Sequence, residues 1–166
     1  MSQQSSVNET SYLLDGVTDF QQHALTLVQN CRRNLSILSH NLDSLIYDND
    51  TLVSALSSLA RASRYGQIHI LVKETRPLIE RRHRLVELSR RLPSKVILRK
   101  LALLPENIDM AFMLGDNDKL LYKNDDSAYR GFVNNDARAE VKRLGEIFTY
   151  VWQYAEPEPG LQQLNL

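Results

Sequence analysis

The sequence predicts an α/β fold: a mostly parallel central sheet with crossover helices, a β-hairpin and a long C-terminal helix. Three observations carry this. Short apolar runs (LSILSHNL, QIHILVKE, KVILRKLAL), the second rich in β-branched residues, alternate with longer segments of helical period. Two further apolar runs, DMAFMLGD and KLLYKN, are parted by the turn-forming Asn117 and Asp118. A long amphipathic stretch, from Asp136 to Ala155, then closes the pattern.

Residues 1–11 are polar and rich in Ser and Gln, so a disordered tail is expected there, with one domain over 12–156 and a C-terminal tail over 157–166. Residues 19–33 place Phe20, Ala24, Leu27, Val28 and Cys31 on one helical face. LSILSHNL reads as the first buried strand. A second helix begins at the acidic residues before Thr51, buries Leu52, Leu56, Leu59 and Ala60, and has Gly66 where a C-cap glycine belongs. QIHILVKE is the second strand. TRPLIERRHRLVELSRRLP reads as one connecting helix, opened by Pro77 and stopped by Pro93. KVILRKLAL is the third strand and the hairpin follows. Tyr129, Gly131, Asn134 and Asn135 mark a loop. The closing helix presents Val141, Leu144, Ile147, Phe148, Val151 and Trp152, and EPEPGLQQLNL, unable to continue it, is expected to fray.

Strand–helix–strand–helix–strand order implies parallel strands, and ligands of such sheets bind beyond the strands' carboxyl ends. Three places qualify: SHNLD at 39–43, the stretch from Lys73 to Arg76, and Arg99 with Lys100.

The 166 residues, 43% hydrophobic and 24% charged, suit a single globular domain. A net charge of zero excludes a global field that draws the whole molecule to nucleic acid or membrane. From Arg61 to Lys100, however, twelve Lys or Arg stand against three Glu. That excess is either a basic face for an acidic partner or second copy, or solvated helix surface. The single cysteine forbids an intramolecular disulfide, the N-terminus lacks a signal-peptide pattern, and no apolar run has transmembrane length. A cytoplasmic location without membrane association is the expectation.

Among polar candidates, His40 near Asp43 has the composition of a general-base pair, though a loop-bonded histidine and a turn-forming aspartate are the plainer reading. Arg82 and His83 intrude on the apolar spacing of their helix. With Arg76 they would form an anion site; a buried ion pair to an acid between Asp109 and Asp126 is preferred. His23, His40, His69 and His83 show no metal-ligand spacing, and His69 is expected to pack against a helix. No glycine-rich phosphate loop exists and no cofactor is expected. The basic stretch holds only Tyr65 as an aromatic, a weak signal for single-strand nucleic-acid binding.

The order of elements, with DMAFMLGD followed by Gly131 to Asn135 and a long helix, resembles one half of the phospholipase D superfamily. SHNLD and RPLIERRHRLVELSRRLPS are more closely similar to bacterial phospholipase D-like domains that lack the catalytic motif, found alone or appended to an acetyltransferase. The superfamily's signature is His-x-Lys, four residues, then Asp. Aligned on Asp116, its histidine position is Asp109 and its lysine position Ala111. The histidine attacks phosphorus and the lysine stabilises the phosphoryl oxygens. Asp109 instead brings negative charge to a phosphodiester, and Ala111 cannot offset it. The resemblance therefore implies a non-catalytic binding or regulatory module, expected as a homodimer, with an acetyltransferase or another protein as partner. If two copies pair as the superfamily's halves do, the two Asp109 carboxylates face each other. The alternatives are a divergent phosphodiesterase or nuclease using Asp109 or His40 with a metal, and nucleic-acid binding through the basic segment. Binding candidates are His40, Asp43, Arg76, Arg82, His83, Asn134 and Asn135.

Overall fold

A seven-stranded mixed sheet organises the molecule in the computed structural model, which describes residues 10–62, 64–102, 109–125, 127–157 and 159–162. The strands are β1 (Ser11–Asp15), β2 (Leu35–Ser39), β3 (Ile68–Val72), β4 (Val96–Lys100), β5 (Ala111–Gly115), β6 (Lys119–Lys123) and β7 (Arg130–Asn134). The helices are α1 (Val17–Asn30), α2 (Ser44–Tyr47), α3 (Asp50–Ala62), α4 (Arg76–Arg81), α5 (Arg84–Arg91), α6 (Arg138–Gln153) and α7 (Pro159–Gln162). Spatial order is β1-β7-β6-β5-β2-β3-β4. The three strands read from short apolar runs pair in parallel, Ile37 with Ile70 and Ile70 with Leu98. The hairpin joins them antiparallel, Ile37 opposite Met113.

Helices cover both faces, which is why β2, β3 and β5 are apolar on alternate and intervening residues alike. On one face α1, α3 and α5 bury Phe20, Leu27, Leu56 and Leu88 against Ile37, Ile70 and Met113. On the other, α6 lays Leu144, Phe148 and Val151 over Leu38, Leu71 and Phe112. Each fully buried leucine or phenylalanine contributes about 1.5–3 kcal/mol. The expected stripes are buried, Ile147 and Trp152 only in part. His69 packs as expected, its ring stacked 4.3 Å from Trp152 of α6, with the Arg99 guanidinium 4.4 Å from the same indole.

Five local expectations are corrected. The helix read across 75–93 is two helices: Arg82 turns left-handed (φ 52°) and His83 is extended (φ −55°, ψ 136°), its Nδ1 accepting from Leu85 N–H to cap α5. A ring held at that cap cannot also occupy a helix interior. Gly66 does not cap α3, which ends at Ala62. The loop placed over 129–135 contains β7, which aligns Leu121 with Val133. Gly131 is needed there because a Cβ would lie 1.8 Å from the Tyr122 carbonyl oxygen. An edge strand at Ser11–Asp15, with Leu14 alone buried, left no alternation to read; the rest of the expected disordered tail, 1–9, lies outside the described residues. Finally, the segment expected to fray is partly docked. Leu161 is buried, and Arg90 donates to the carbonyls of Leu161 (2.8 Å) and Gly160 (3.0 Å). Residues 158 and 163–166 lie outside the described set.

Candidate functional site

The carboxyl ends of β2, β3 and β4 are met by the start of β5 and the end of β6, because the hairpin runs against β2. This edge is where a ligand of such a sheet is sought. The loop after β2 is tightly folded. Ser39 Oγ accepts from Leu42 N–H (3.0 Å), Leu42 is left-handed (φ 55°), and Asp43 Oδ1 accepts from Leu45 N–H (2.9 Å), capping α2. The His40 carbonyl accepts from the N–H groups of Lys73 (3.0 Å) and Glu74 (2.8 Å), fixing this loop to the one after β3. The His40 ring lies 3.1 Å from Glu74 Oε2 on a half-exposed surface.

The strand matching the superfamily signature spans the sheet from edge to edge. Asp109 is exposed just before β5, and Ala111 is buried at its first position. Asp116 follows the last position, at the opposite edge, five residues or roughly 17 Å from Ala111. There it is left-handed (φ 52°), and its carboxylate accepts from the N–H groups of Arg32 (3.1 Å), Arg33 (2.9 Å) and Asn34 (3.2 Å). It joins the chain entering β2 to the hairpin turn, a structural duty remote from the carboxyl edge.

The position that lacks a lysine in β5 faces one from β6. Ala111 pairs across the strands with Lys123, which is buried. The Lys123 ammonium lies 4.8 Å from the centre of the Tyr129 ring and 5.7 Å from that of Phe20. Tyr129 in turn donates its hydroxyl to Asp43 Oδ2 at 2.5 Å. Phe20, Asp43, Ile46, Tyr47, Ala111 and Lys123 close around a cavity of about 10 Å³, barely the space one water molecule needs. Charge of both signs is therefore present, but the cavity is too small to admit a phosphodiester. Lys123 and Tyr129 were missed from the sequence. The available signal was KLLYK itself, whose alternation sets Lys123 on the same face as the buried Leu121.

The other expected residues do not converge. Asp43 turns inward to Tyr129 whereas His40 turns outward to Glu74. Arg76 is exposed at the start of α4 and pairs with Glu80 (3.5 Å); Arg82 is exposed. His83 is buried, but its expected acidic partner is replaced by a backbone group: Nε2–H donates to the Leu42 carbonyl (3.0 Å) while Nδ1 accepts from Leu85 N–H (3.1 Å). Burial lowers its pKa below the usual imidazole value, so the ring is neutral and needs no carboxylate. An anion site built from Arg76, Arg82 and His83 is not assembled. Asn134 and Asn135 end β7 at the Asp116 edge. Asn134 Oδ1 accepts from Thr10 Oγ1 (3.2 Å) and Asp136 N–H (2.9 Å), and Asn135 N–H donates to the Thr10 carbonyl. They hold β1 and the start of α6 and stand a strand's length from His40. Among the described residues no group of three or more His, Cys, Asp or Glu could hold a metal ion, and no helix is long and apolar enough to cross a membrane. Cys31 is inert: burial, then the Asp116 charge, pushes its thiol up to about 12.

Residues 16–164 match the family model described as a domain of unknown function, DUF7931. No curated protein matches the sequence. Among solved structures, NucT from Helicobacter pylori is similar with a TM-score of 0.65 at 10% identity, over 89% of this chain and 98% of that one. Nuc from Salmonella typhimurium, a phospholipase D family member, has a TM-score of 0.63 at 9% identity, over 88% and 95%. TrmBL2, an archaeal chromatin protein that binds DNA, has a TM-score of 0.62 at 15% identity over 89% of this chain; the chain spans about half (53%) of TrmBL2. At these identities the likeness establishes the fold, phospholipase D-like α/β.

Proposed function

This chain belongs to the DUF7931 family and carries a phospholipase D-like fold, and from that premise we propose that it works as a non-catalytic binding or regulatory module. One observation carries the reading. At the carboxyl edge, beside Ala111, Asp43 and Lys123 line a cavity of only about 10 Å³, and Tyr129 bonds Asp43 and lies against Lys123. Phosphoryl transfer needs a nucleophile in line with phosphorus and cations on its oxygens. Here Asp109 is exposed outside that cavity and His40 faces Glu74 at the surface. Loss of one electrostatic stabiliser alone typically costs about 10²–10³ in rate.

The module is proposed to act as a homodimer, with a protein such as an acetyltransferase as its partner. Two-fold pairing that opposes the Asp109 carboxylates belongs to the same proposal. Sedimentation equilibrium reads the oligomer, and a monomer at all concentrations removes that part.

Hydrolysis of bis-p-nitrophenyl phosphate, without metal and with Mg²⁺, Mn²⁺ or Zn²⁺, tests the central claim. The expected result is release indistinguishable from a buffer blank. Turnover that disappears in Asp109→Ala or His40→Ala overturns it in favour of a divergent phosphodiesterase.

A further inference from the structure

The edge opposite that cavity gathers positive charge from three neighbouring loops. Leu35, Ile68 and Val96, which begin β2, β3 and β4, stand side by side. The loops leading into them are laced together. Leu35 N–H donates to the Gln67 carbonyl (3.2 Å), Ile68 N–H to the Lys95 carbonyl (2.8 Å), and Lys95 Nζ to the Arg64 carbonyl (2.6 Å). Arg32 and Ala62 line one groove, which sets the end of α3 against the first loop.

Each loop contributes cations. Arg32 and Arg33 lie on the first, Arg61 and Arg64 lead along the second, and Arg91 ends α5 just before Lys95 on the third. All five arginines are exposed. The segments 29–36, 58–69 and 88–97 contain no Asp or Glu. Asp116 and Asp118 approach this edge from the hairpin turn. Asp116 is engaged by the backbone of the first loop, and Lys119 pairs with both (3.7 and 3.0 Å). Other cations of the basic segment have structural duties: Arg84 pairs with Asp48 and Asp50, and Arg90 holds the C-terminal carbonyls. Three arginines of the basic segment thus join Arg32 and Arg33 in a local patch on a molecule of zero net charge.

Tyr65 lies on the second of these loops, next to Arg64. It is 85% exposed, with the Arg64 guanidinium 5.8 Å from its ring centre. A phenol that exposed contributes nothing to the core, and its flat face beside a cation is a platform for a base. An acidic polypeptide or a duplex would use the arginines but would have no stacked base to lay on the ring.

We propose that the amino-terminal edge of the sheet binds single-stranded nucleic acid, with backbone phosphates along Arg32, Arg33, Arg61, Arg64 and Arg91 and a base stacked on Tyr65. The inference goes beyond the reading of the carboxyl edge and does not depend on it.

Fluorescence anisotropy of a labelled oligo(dT) of about twenty nucleotides tests it, with a duplex of the same length and polyglutamate as competitors. Five phosphate contacts predict a log–log salt slope near −3.5, roughly a 130-fold loss of affinity between 50 and 200 mM salt. Arg33→Glu with Arg64→Glu is expected to weaken binding more than about tenfold and to flatten that slope. Tyr65→Ala is expected to cost about tenfold at any one salt concentration while leaving the slope unchanged. Arg76→Glu, at the opposite edge, changes neither. Absence of binding at low salt overturns the proposal, as does wild-type affinity in the double variant. Competition by duplex or polyglutamate as strong as by unlabelled oligo(dT), with Tyr65→Ala neutral, overturns it in favour of a duplex or an acidic protein surface respectively.

Discussion

Asp116→Ala separates a structural aspartate from a catalytic one. The wild-type carboxylate, 19% exposed, accepts from three consecutive backbone N–H groups at 2.9–3.2 Å and lies 3.7 Å from Lys119 Nζ. Hydrogen bonds to a charged group are worth about 1.5–3 kcal/mol each when the donor is left dry. These donors lie at the surface and regain water, so about 2 kcal/mol for the set is the appropriate scale. Alanine at φ 52° adds about 1 kcal/mol, because it lacks the short polar side chain with which aspartate offsets the cost of the left-handed region. The total, about 3 kcal/mol, corresponds to roughly 6–12 °C in Tm for a domain of this size. Asp116→Asn keeps one acceptor oxygen and a side chain that tolerates the left-handed region, so about 1 kcal/mol is expected. Urea unfolding followed through Trp152 fluorescence measures both. If Asp116→Ala lowers stability by less than about 0.5 kcal/mol, or lowers it no more than Asp116→Asn does, the backbone clamp by Asp116 is refuted.

Two glycines give opposite expectations from the same substitution. Gly131→Ala forces a Cβ to within 1.8 Å of the Tyr122 oxygen, so the β6–β7 pairing must part, with a loss above about 3 kcal/mol or failure to fold. Gly145→Ala, in α6 with its nearest contact at 4.0 Å from Leu114, raises stability by about 0.5–1 kcal/mol; equal effects of the two refute the packing argument. The buried histidines predict a pH dependence. Burial lowers the pKa of His83 and, with the Arg99 charge, that of His69 below the ordinary 6.5. The unfolded chain then binds protons that the folded chain does not. Stability is fully present above about pH 6.5 and is lost as pH falls from there toward the folded pKa values. The urea midpoint should drop between about pH 7 and 5, with a shallower drop in a His69→Gln, His83→Gln variant; identical pH profiles for the two proteins would sink the explanation.

Periodicity determined much of this protein. The short apolar runs became β2, β3 and β4, the hairpin turned at Asn117 and Asp118, and the stripes beginning at Phe20, Leu52 and Val141 were buried, Ile147 and Trp152 only in part. Local spacing specifies which face of an element leaves water, so these features follow from the chain alone. The resemblance to phospholipase D-like domains was legible for the same reason, since it rests on the order of elements. Local spacing does not specify which elements become neighbours. Strand β7 hid in a segment of turn-forming residues and exists because β1 and β6 flank it. The helix over 75–93 broke at Arg82 because the His83 ring found the Leu42 carbonyl, forty-one residues away in sequence. Asn134 was read as part of a loop, whereas its position is set by antiparallel pairing with Ser11 and Leu120. Most tellingly, the sequence showed a lysine missing at Ala111, and only the pairing of β5 with β6 brought Lys123 beside it and Tyr129 over the gap. Each residue's burial was written locally; the site's chemistry was decided by contacts between residues far apart in the chain, because strand order is chosen by burying every apolar face at once.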